Sequence, residues 1–234
     1  MRGVVAAAAL LVAAAPLAAQ DPRHEVWPET DVWVATGIGR RLLFLATTTK
    51  AMESDGAYRE GTIGVHYDMA LARRLLIGFF KASDNIAADR TAPVSVRFGY
   101  RYGASLGDGG AAYQEHRLLG EVHNRFALAR SNMVSNRVRL DLRWLDGDLS
   151  TRVRDRLQLE RDVTVAGYRF VIYGSGEIYY DSRYDAFNRN RVIAGTQLPF
   201  SRVLMVDLYY ARQNDSQASI THVNGYGMAL NLSY

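Results

Sequence analysis

The feature of this sequence that most constrains its fold is a repeated two-residue alternation between apolar and polar side chains. Segments of about ten residues carry it, the length that suits a membrane-crossing strand, and turn-like stretches separate them. Successive side chains of a β-strand point to opposite faces, so each segment predicts a strand with one apolar and one polar face. The clearest segment is "PVSVRFGYRYG", which sets Val94, Val96, Phe98, Tyr100 and Tyr102 against Ser95, Arg97, Gly99 and Arg101.

About twelve such segments follow one another, which predicts an all-β fold: a closed antiparallel transmembrane β-barrel of about twelve strands. An even strand number would place both chain ends at the periplasmic rim, where the short turns belong. The turns "GIGRR" and "LARR" fall on the other rim in a twelve-stranded barrel, so ten strands is the alternative. The segments are "DVWVATGI", "RLLFLATTT", "TIGVHYDMA", "LLIGFFKA", "PVSVRFGYRYG", "EHRLLGEVHNRF", "SNRVRLDLRW", "TRVRDRLQLERD", "YRFVIYGSGEIYY", "NRVIAGTQL", "VLMVDLYYARQ" and the C-terminal "HVNGYGMALNLSY".

A soluble β-sandwich also alternates, with its apolar face buried between two sheets. Three features favour the barrel. The polar face is rich in Arg, Gly recurs at inward positions where a crowded lumen needs space, and the chain contains no Cys that could form a disulfide. In addition, aromatic residues stand near strand ends, as an interfacial girdle would place them: Trp27, Trp33, Tyr100, Tyr102, Trp144, Tyr180, Tyr210 and Tyr234.

The first residues, "MRGVVAAAALLVAAAPLAAQDP", combine one Arg, an Ala/Val/Leu run and small residues before Gln20. This order predicts a secretory signal peptide over residues 1–19, with cleavage after Ala19. Residues 20–234 then form a single outer-membrane β-barrel domain, since no other apolar run is long enough for a spanning helix. We therefore expect export to the outer membrane of a Gram-negative bacterium.

The C-terminal strand has one apolar, aromatic face, formed by Tyr226, Met228, Leu230, Leu232 and Tyr234. An aromatic ring at the end of a strand suits the membrane interface. The alternation also resembles the C-terminal signal that barrel-assembly machinery reads in outer-membrane proteins. The expected partners are therefore this machinery, periplasmic chaperones during biogenesis, and outer-membrane lipid.

The polar face of the middle strands carries an unusual number of arginines. The net charge of +4 comes from Arg, because Lys50 and Lys81 are the only lysines. A guanidinium in a narrow lumen needs a carboxylate, since an isolated buried charge is costly and Arg binds carboxylates bidentately. We expect Arg139, Arg154 and Arg156 to be buried and paired with acids such as Asp141, Glu160 and Glu177. The whole predicted lumen network comprises Arg117, Glu121, Arg125, Arg137, Arg139, Asp141, Arg143, Arg152, Arg154, Arg156, Glu160, Glu177, Arg191 and Asp207.

This network has two interpretations that the residues alone leave open. One is a structural arginine–carboxylate core that fills a narrow or occluded lumen, and the other is a binding or transit path for a small anionic solute. Neither interpretation needs a cofactor, and nucleic acid is not an expected partner. The strand histidines have no spacing that demands a metal, and His123 beside Glu121 suits a lumen hydrogen bond better. These histidines are His66, His116, His123 and His222.

A membrane-embedded lipid-modifying hydrolase is the alternative function. Such an enzyme needs Ser and His on the lipid-facing side of the barrel, where its substrate lies. Ser131 and Ser135 flank a strand, but His116 is the one weak candidate for an outward histidine beside a nucleophile. The sequence therefore favours a non-enzymatic protein.

Short motifs occur in a fixed order along the chain: "TDVWV", "HRL", "NRVRL", "RVRDRLQLE", "GEIYYD", "NRNRVIAG" and "YYARQ". In this order they resemble the uncharacterised bacterial outer-membrane barrels of domain-of-unknown-function family 2490. The resemblance extends over nearly the whole chain after residue 19, and "PVSVRFGYRYG" with its long flanks is a departure from the family pattern. The resemblance implies a barrel fold and an outer-membrane location, and it implies no particular activity.

Overall fold

The computed structural model describes residues 22–52, 59–71, 94–106, 113–129 and 131–234. Its regular elements are all strands, and none of the described residues forms a helix long and apolar enough to cross a membrane. The shortest strands have 12 residues and the longest has 18. The strands are β1 (Arg23–Gly37), β2 (Arg40–Ala51), β3 (Arg59–Ala70), β4 (Val94–Ser105), β5 (Gln114–Ala129), β6 (Asn132–Leu145), β7 (Asp148–Val165), β8 (Tyr168–Asp181), β9 (Ala186–Pro199), β10 (Leu204–Asp215) and β11 (His222–Ser233).

The eleven strands of the described residues form one closed barrel, so the predicted all-β barrel fold is confirmed. Consecutive strands pair antiparallel, as expected. The closing seam differs, because β1 and β11 pair in parallel from Arg23↔Val223 to Trp33↔Ser233. An odd number of up-and-down strands leaves the first and the last pointing the same way, and a parallel seam follows from that number.

The strand number is one below the predicted twelve and one above the alternative of ten. The predicted strand "LLIGFFKA", residues 75–82, lies outside the described residues. The strands on either side of it, β3 and β4, pair directly from Glu60↔Ser105 to Ala70↔Ser95, while the other edge of β3 is bonded to β2. No free edge therefore remains between β3 and β4 for a further strand of the ladder.

The odd number also decides at which end each turn lies. We call the end that holds the start of β1 the Arg23 rim, and the end that holds the last residue the Tyr234 rim. The Tyr234 rim carries the connections at residues 38–39, 166–167 and 200–203, whereas the Arg23 rim carries those at 146–147, 182–185 and 216–221. The turn "GIGRR" thus lies on the same rim as "LPFSR", and the expected placement of both chain ends at one rim is replaced by opposite rims for Arg23 and Tyr234.

Two hairpin turns have the backbone that tight antiparallel connections favour. In the β6–β7 turn, Asp146 and Gly147 have φ values of 52° and 96°, and in the β7–β8 turn Ala166 and Gly167 have 50° and 81°. Positive φ at both central positions is the signature of the type I′ turn, whose twist matches that of the flanking strands. These turns fix the register of β6, β7 and β8. Most of the predicted arginines lie on β6 and β7.

The two faces of the barrel follow the alternation, with a few informative exceptions. Trp27 and Trp33, expected at the outer girdle, face the lumen instead: the Trp27 ring centroid lies 6.4 Å from that of Tyr209, and Arg41 stacks 4.0 Å from the Trp33 centroid. Near β1 the lumen is therefore filled by aromatic rings. Asp155 is the opposite case, because its exposed carboxylate lies on the outer face of β7.

Candidate functional site

The predicted network residues all take the inward phase of their strands. In β6, the buried positions alternate with exposed leucines and valines, and in β7 the same alternation turns three arginines toward the lumen. The register then decides which of them meet, because directly paired residues on adjacent strands stand about 5 Å apart. Arg137 pairs with Arg156 in this register, and Arg156 pairs with Glu177.

Toward the Arg23 rim, two carboxylates that the sequence prediction did not include link four strands. Arg143 donates from Nε to Glu115 (2.5 Å) and from Nη1 to Asp181 (3.0 Å). Arg152 donates to the same Asp181 oxygen at 2.6 Å, and Arg117 donates to Glu115 at 2.8 Å. The signal for both acids was present in the sequence. Glu115 stands two residues before Arg117, and Asp181 four residues after Glu177, so both share the inward phase.

In the middle of the lumen, Arg139 lies between two acids. Its Nε lies 2.5 Å from Asp141 Oδ1 and its Nη1 lies 3.4 Å from Glu121 Oε1. Glu121 also contacts His123, whose Nε2 is 2.7 Å from Oε2. Arg139 is only 2% exposed, although it projects into what would be the channel. The expected burial and pairing of Arg139 is therefore present in the structure.

Glu177 is the acid around which the arginines of β6 and β7 gather. It accepts hydrogen bonds from Arg137 (3.1 Å) and Arg154 (2.9 Å), both at Oε1. Its other oxygen accepts the hydroxyl of Tyr179 at 2.6 Å, and the Arg154 guanidinium lies 4.7 Å from the centroid of that tyrosine ring. Both carboxylate oxygens of Glu177 are thus engaged.

The structure does not bring every predicted partner together. The Arg156 side chain forms no ion pair or hydrogen bond with any described residue, because Glu177, its direct neighbour in the ladder, is bonded to Arg137 and Arg154. The Arg156 backbone carbonyl accepts a hydrogen bond from Asn136 Nδ2 at 3.4 Å. Arg191 hydrogen-bonds to the Gln213 amide oxygen and stacks 4.9 Å from the Trp27 centroid.

The remaining predicted acids bind neutral donors. Glu160 accepts a hydrogen bond from Gln158, and Asp207 accepts one from Tyr173 at 2.8 Å. Arg125 faces the lumen near the Tyr234 rim, in the inward phase of β5.

A second cluster of charged and aromatic side chains, on β1 to β4, lies outside the predicted network. Asp68 receives Arg97 at 2.7 Å and Arg41 at 3.2 Å. Arg41 and Arg97 also flank the ring of Trp33, with Arg97 at 5.2 Å from its centroid. The inward phase of Asp68 and Arg97 was readable from the alternation, but their pairing depends on the register between β3 and β4.

Several inward side chains of the described residues are fully buried. The largest fully buried side chains of the described residues are Arg139, Tyr179, His66, Asp141 and Asp181. All five point inward, where a wide, water-filled channel would expose them to solvent. Charged side chains and rings are therefore buried on the inner face of the barrel wall.

The histidines and serines that could serve metal binding or catalysis have defined surroundings in the described residues. No group of three or more His, Asp or Glu side chains there is arranged to hold a metal ion. The outward histidine His116 contacts the hydroxyl of Tyr100, with Nδ1 at 2.6 Å, and its ring lies 5.1 Å from that of Tyr102. Ser131 and Ser135 form no hydrogen bond with it.

Comparison with protein-family models gives a match. A family model described as a protein of unknown function, DUF2490, matches residues 85–224. This range contains β4 to β10 and every residue of the predicted lumen network. It also includes the segment "PVSVRFGYRYG", which was predicted to depart from the family pattern. No curated protein matches the chain.

Proposed function

The chain belongs to the DUF2490 family of proteins of unknown function, and from that premise we propose that it is a non-enzymatic β-barrel protein of the bacterial outer membrane. Its lumen is closed by the arginine–carboxylate network, and its role in the envelope is structural rather than that of an open channel. The observation that carries this proposal is the complete burial of five large inward side chains, Arg139 and Tyr179 among them.

The outer surface supports a lipid environment. Large apolar side chains are exposed around the barrel, including Phe98 at 60%, Leu157 at 59% and Phe187 at 72%. Soluble monomers rarely expose contiguous apolar surface on this scale. Closed barrels are one of the two architectures that satisfy every backbone group within a bilayer. Lipid is therefore the solvent that suits this face.

Aromatic and imidazole rings mark a belt toward the Arg23 rim. His116 lies between Tyr100 and Tyr102 on the outer face, and His24 stacks on Tyr226 with ring centroids 6.1 Å apart. Amphipathic rings of this kind concentrate where hydrocarbon meets headgroups. The belt supports an interface at that end of the barrel.

Planar-bilayer recording tests the closed lumen. We expect the purified protein to give no stable single-channel conductance, because the paired side chains leave no continuous water path. A double variant, Arg139→Ala with Tyr179→Ala, removes two of the largest plugging side chains and should conduct, which controls for insertion. Steady conductance by the wild-type protein would contradict the proposal. Heat-modifiable gel migration and resistance to carbonate extraction check the barrel and its membrane location.

The hydrolase alternative has one specific observation in its favour, the outward Tyr100–His116 pair. The histidine nitrogen in that pair is held by a phenol rather than by a serine nucleophile, which favours an anchoring role at the interface. Lipid profiling of a deletion strain separates the two functions. We expect the deletion strain to show unchanged acylation of its outer-membrane lipids. The enzyme would be established if the strain lost one lipid product, and if the wild-type gene but not a His116→Ala variant restored that product.

A further inference from the structure

Arg156 differs from the other arginines of the β6–β8 wall because it has no acidic partner among the described residues. Its Nε is buried and without a hydrogen bond, the residue as a whole is half-buried, and its terminal nitrogens bond to no described residue. A guanidinium in such surroundings is costly unless something compensates its charge. Arg156 therefore shares its one neighbouring carboxylate, Glu177, with Arg137 and Arg154 and forms no ion pair of its own.

The neighbouring acids are committed elsewhere. Glu177 binds Arg137 and Arg154 and accepts the Tyr179 hydroxyl, so three arginines surround one carboxylate. Across the lumen on β10, Asp207 accepts hydrogen bonds from Tyr173 and Gln197, and no ion pair joins it to Arg156. The charge excess at this wall is therefore local, although acids and arginines are both abundant in the lumen as a whole.

Two further buried donor atoms without a hydrogen bond lie beside Arg156. Arg137, its direct ladder partner on β6, has a buried Nε without a hydrogen bond, and the buried Ser175 hydroxyl on β8 is also without one. Ser175 pairs with Gln158, which is the next inward residue after Arg156 on β7. Arg137, Arg156 and Ser175 thus occupy neighbouring inward positions on three adjacent strands, and each has one donor atom without a hydrogen bond.

We propose that Arg156, Arg137 and Ser175 form a binding site for a small oxyanion, a carboxylate or a phosphate. The planar fork of a guanidinium matches two oxygens of such a group, and charge-assisted hydrogen bonds of this kind are the strong ones. Water alone would satisfy the donors but would leave the charge excess. The site deepens the proposed function by naming the solute class that the closed lumen holds.

Isothermal titration of the detergent-solubilised, heat-modifiable barrel tests the site at constant ionic strength. The probes are inorganic phosphate and succinate, so the two arms distinguish a phosphate from a carboxylate ligand. We expect saturable binding of at least one probe to the wild-type protein. Arg156→Gln should weaken that binding about tenfold or more, because it removes charge-assisted hydrogen bonds.

Two further variants make the test specific. Arg156→Lys keeps the positive charge but loses the planar guanidinium fork. It should therefore bind the probe anion more weakly than the wild type and more tightly than Arg156→Gln. This variant remains informative if Arg156→Gln fails to fold. Arg169→Gln removes the same charge from an exposed rim residue, 59% accessible and paired with Asp162, and should bind as the wild type does.

The proposal is overturned if neither probe binds the wild-type protein saturably, or if Arg156→Gln binds as tightly as the wild type. Because binding is measured on the solubilised barrel, it does not depend on conductance. An open channel would refute the closed lumen and leave this site standing, whereas absent binding would refute the site and leave the closed lumen standing.

Discussion

At the scale of single residues, Arg139 is the most completely buried arginine of the described residues. Replacing it with Ala strands Asp141 and Glu121 in a buried setting, and such a loss costs roughly 3–5 kcal/mol of unfolding free energy. Urea unfolding of the folded barrel in lipid, followed by tryptophan fluorescence, measures the change. The double variant Arg139→Met with Asp141→Leu removes both charges of the closest pair and should recover a large part of the loss. A single-variant loss below about 1 kcal/mol would indicate a wet, screened lumen instead.

Asp155 is a charged side chain in apolar surroundings on the outer face of the barrel. Its carboxylate is exposed among apolar neighbours and accepts a hydrogen bond from Asn136 at 2.6 Å. If lipid covers this face, the charge is unfavourable, and Asp155→Val should stabilise the barrel by up to about 2 kcal/mol. Urea unfolding in lipid measures the change in unfolding free energy. The control is Asp148→Val, which replaces an exposed residue at the Arg23 rim and should change the unfolding free energy little. A clear destabilisation by Asp155→Val would show that a partner or an aqueous environment contacts the carboxylate.

At the scale of strands, the close approach of His66 to Gly99 links β3 and β4. A Cβ at position 99 would collide with the His66 ring and lie 2.9 Å from the Val65 carbonyl oxygen. His66 cannot readily move away, because it is buried and accepts a hydrogen bond from Arg101 Nε at 3.0 Å. Gly99→Ala should therefore destabilise the barrel by roughly 1–3 kcal/mol.

Gly176 supplies the matched control for that substitution. It lies on the outer face of β8, and no atom stands within 4 Å of a Cβ built there. Gly176→Ala should leave the urea midpoint unchanged or raise it slightly, because alanine restricts the unfolded chain. Equal losses from both substitutions would mean that strand propensity, rather than the His66 contact, decides the effect.

Tyr234 takes part in the closing seam between β1 and β11, and its ring lies on the apolar outer face of the barrel. The Tyr234 amide donates to the Trp33 carbonyl at 2.8 Å, and the Tyr234 carbonyl accepts from the Ala35 amide at 2.8 Å. Deletion of Tyr234 removes both bonds and the ring, whereas Tyr234→Asp removes only the ring. We expect folded, heat-modifiable protein in outer membranes to fall in both variants and further in the deletion, with Tyr234→Phe near the wild type. Normal levels in the deletion would contradict a role in assembly.

At the scale of the whole molecule, the odd strand number makes a topological prediction. If the Tyr234 rim, which carries the turns at residues 38–39, 166–167 and 200–203, is periplasmic, the loop at residues 216–221 is at the cell surface. The chain has no cysteine, so single substitutions give clean labels. Ser219→Cys should react with a membrane-impermeant maleimide on intact cells, and Arg202→Cys only after permeabilisation. The reverse pattern would invert the orientation.

The site shows where sequence reasoning reaches its limit. The inward phase of Arg139, Arg154 and Arg156 followed from alternation alone. Which carboxylate each one meets did not follow, because three same-phase arginines compete for Glu177 and only two fit. Glu115 and Asp181 were within reach of the same argument, since they share the phase of Arg117 and Glu177.

The sequence by itself determined that this chain is a β-barrel with an apolar outer face and an arginine-rich interior. Alternation is a local, period-two property, and a strand translates it directly into two faces. Only the tertiary structure decided the strand number, the parallel seam between β1 and β11, and the exclusion of Arg156 from its neighbouring acid. Each of these depends on which distant edges and charges meet when the sheet closes, and no local pattern encodes that choice.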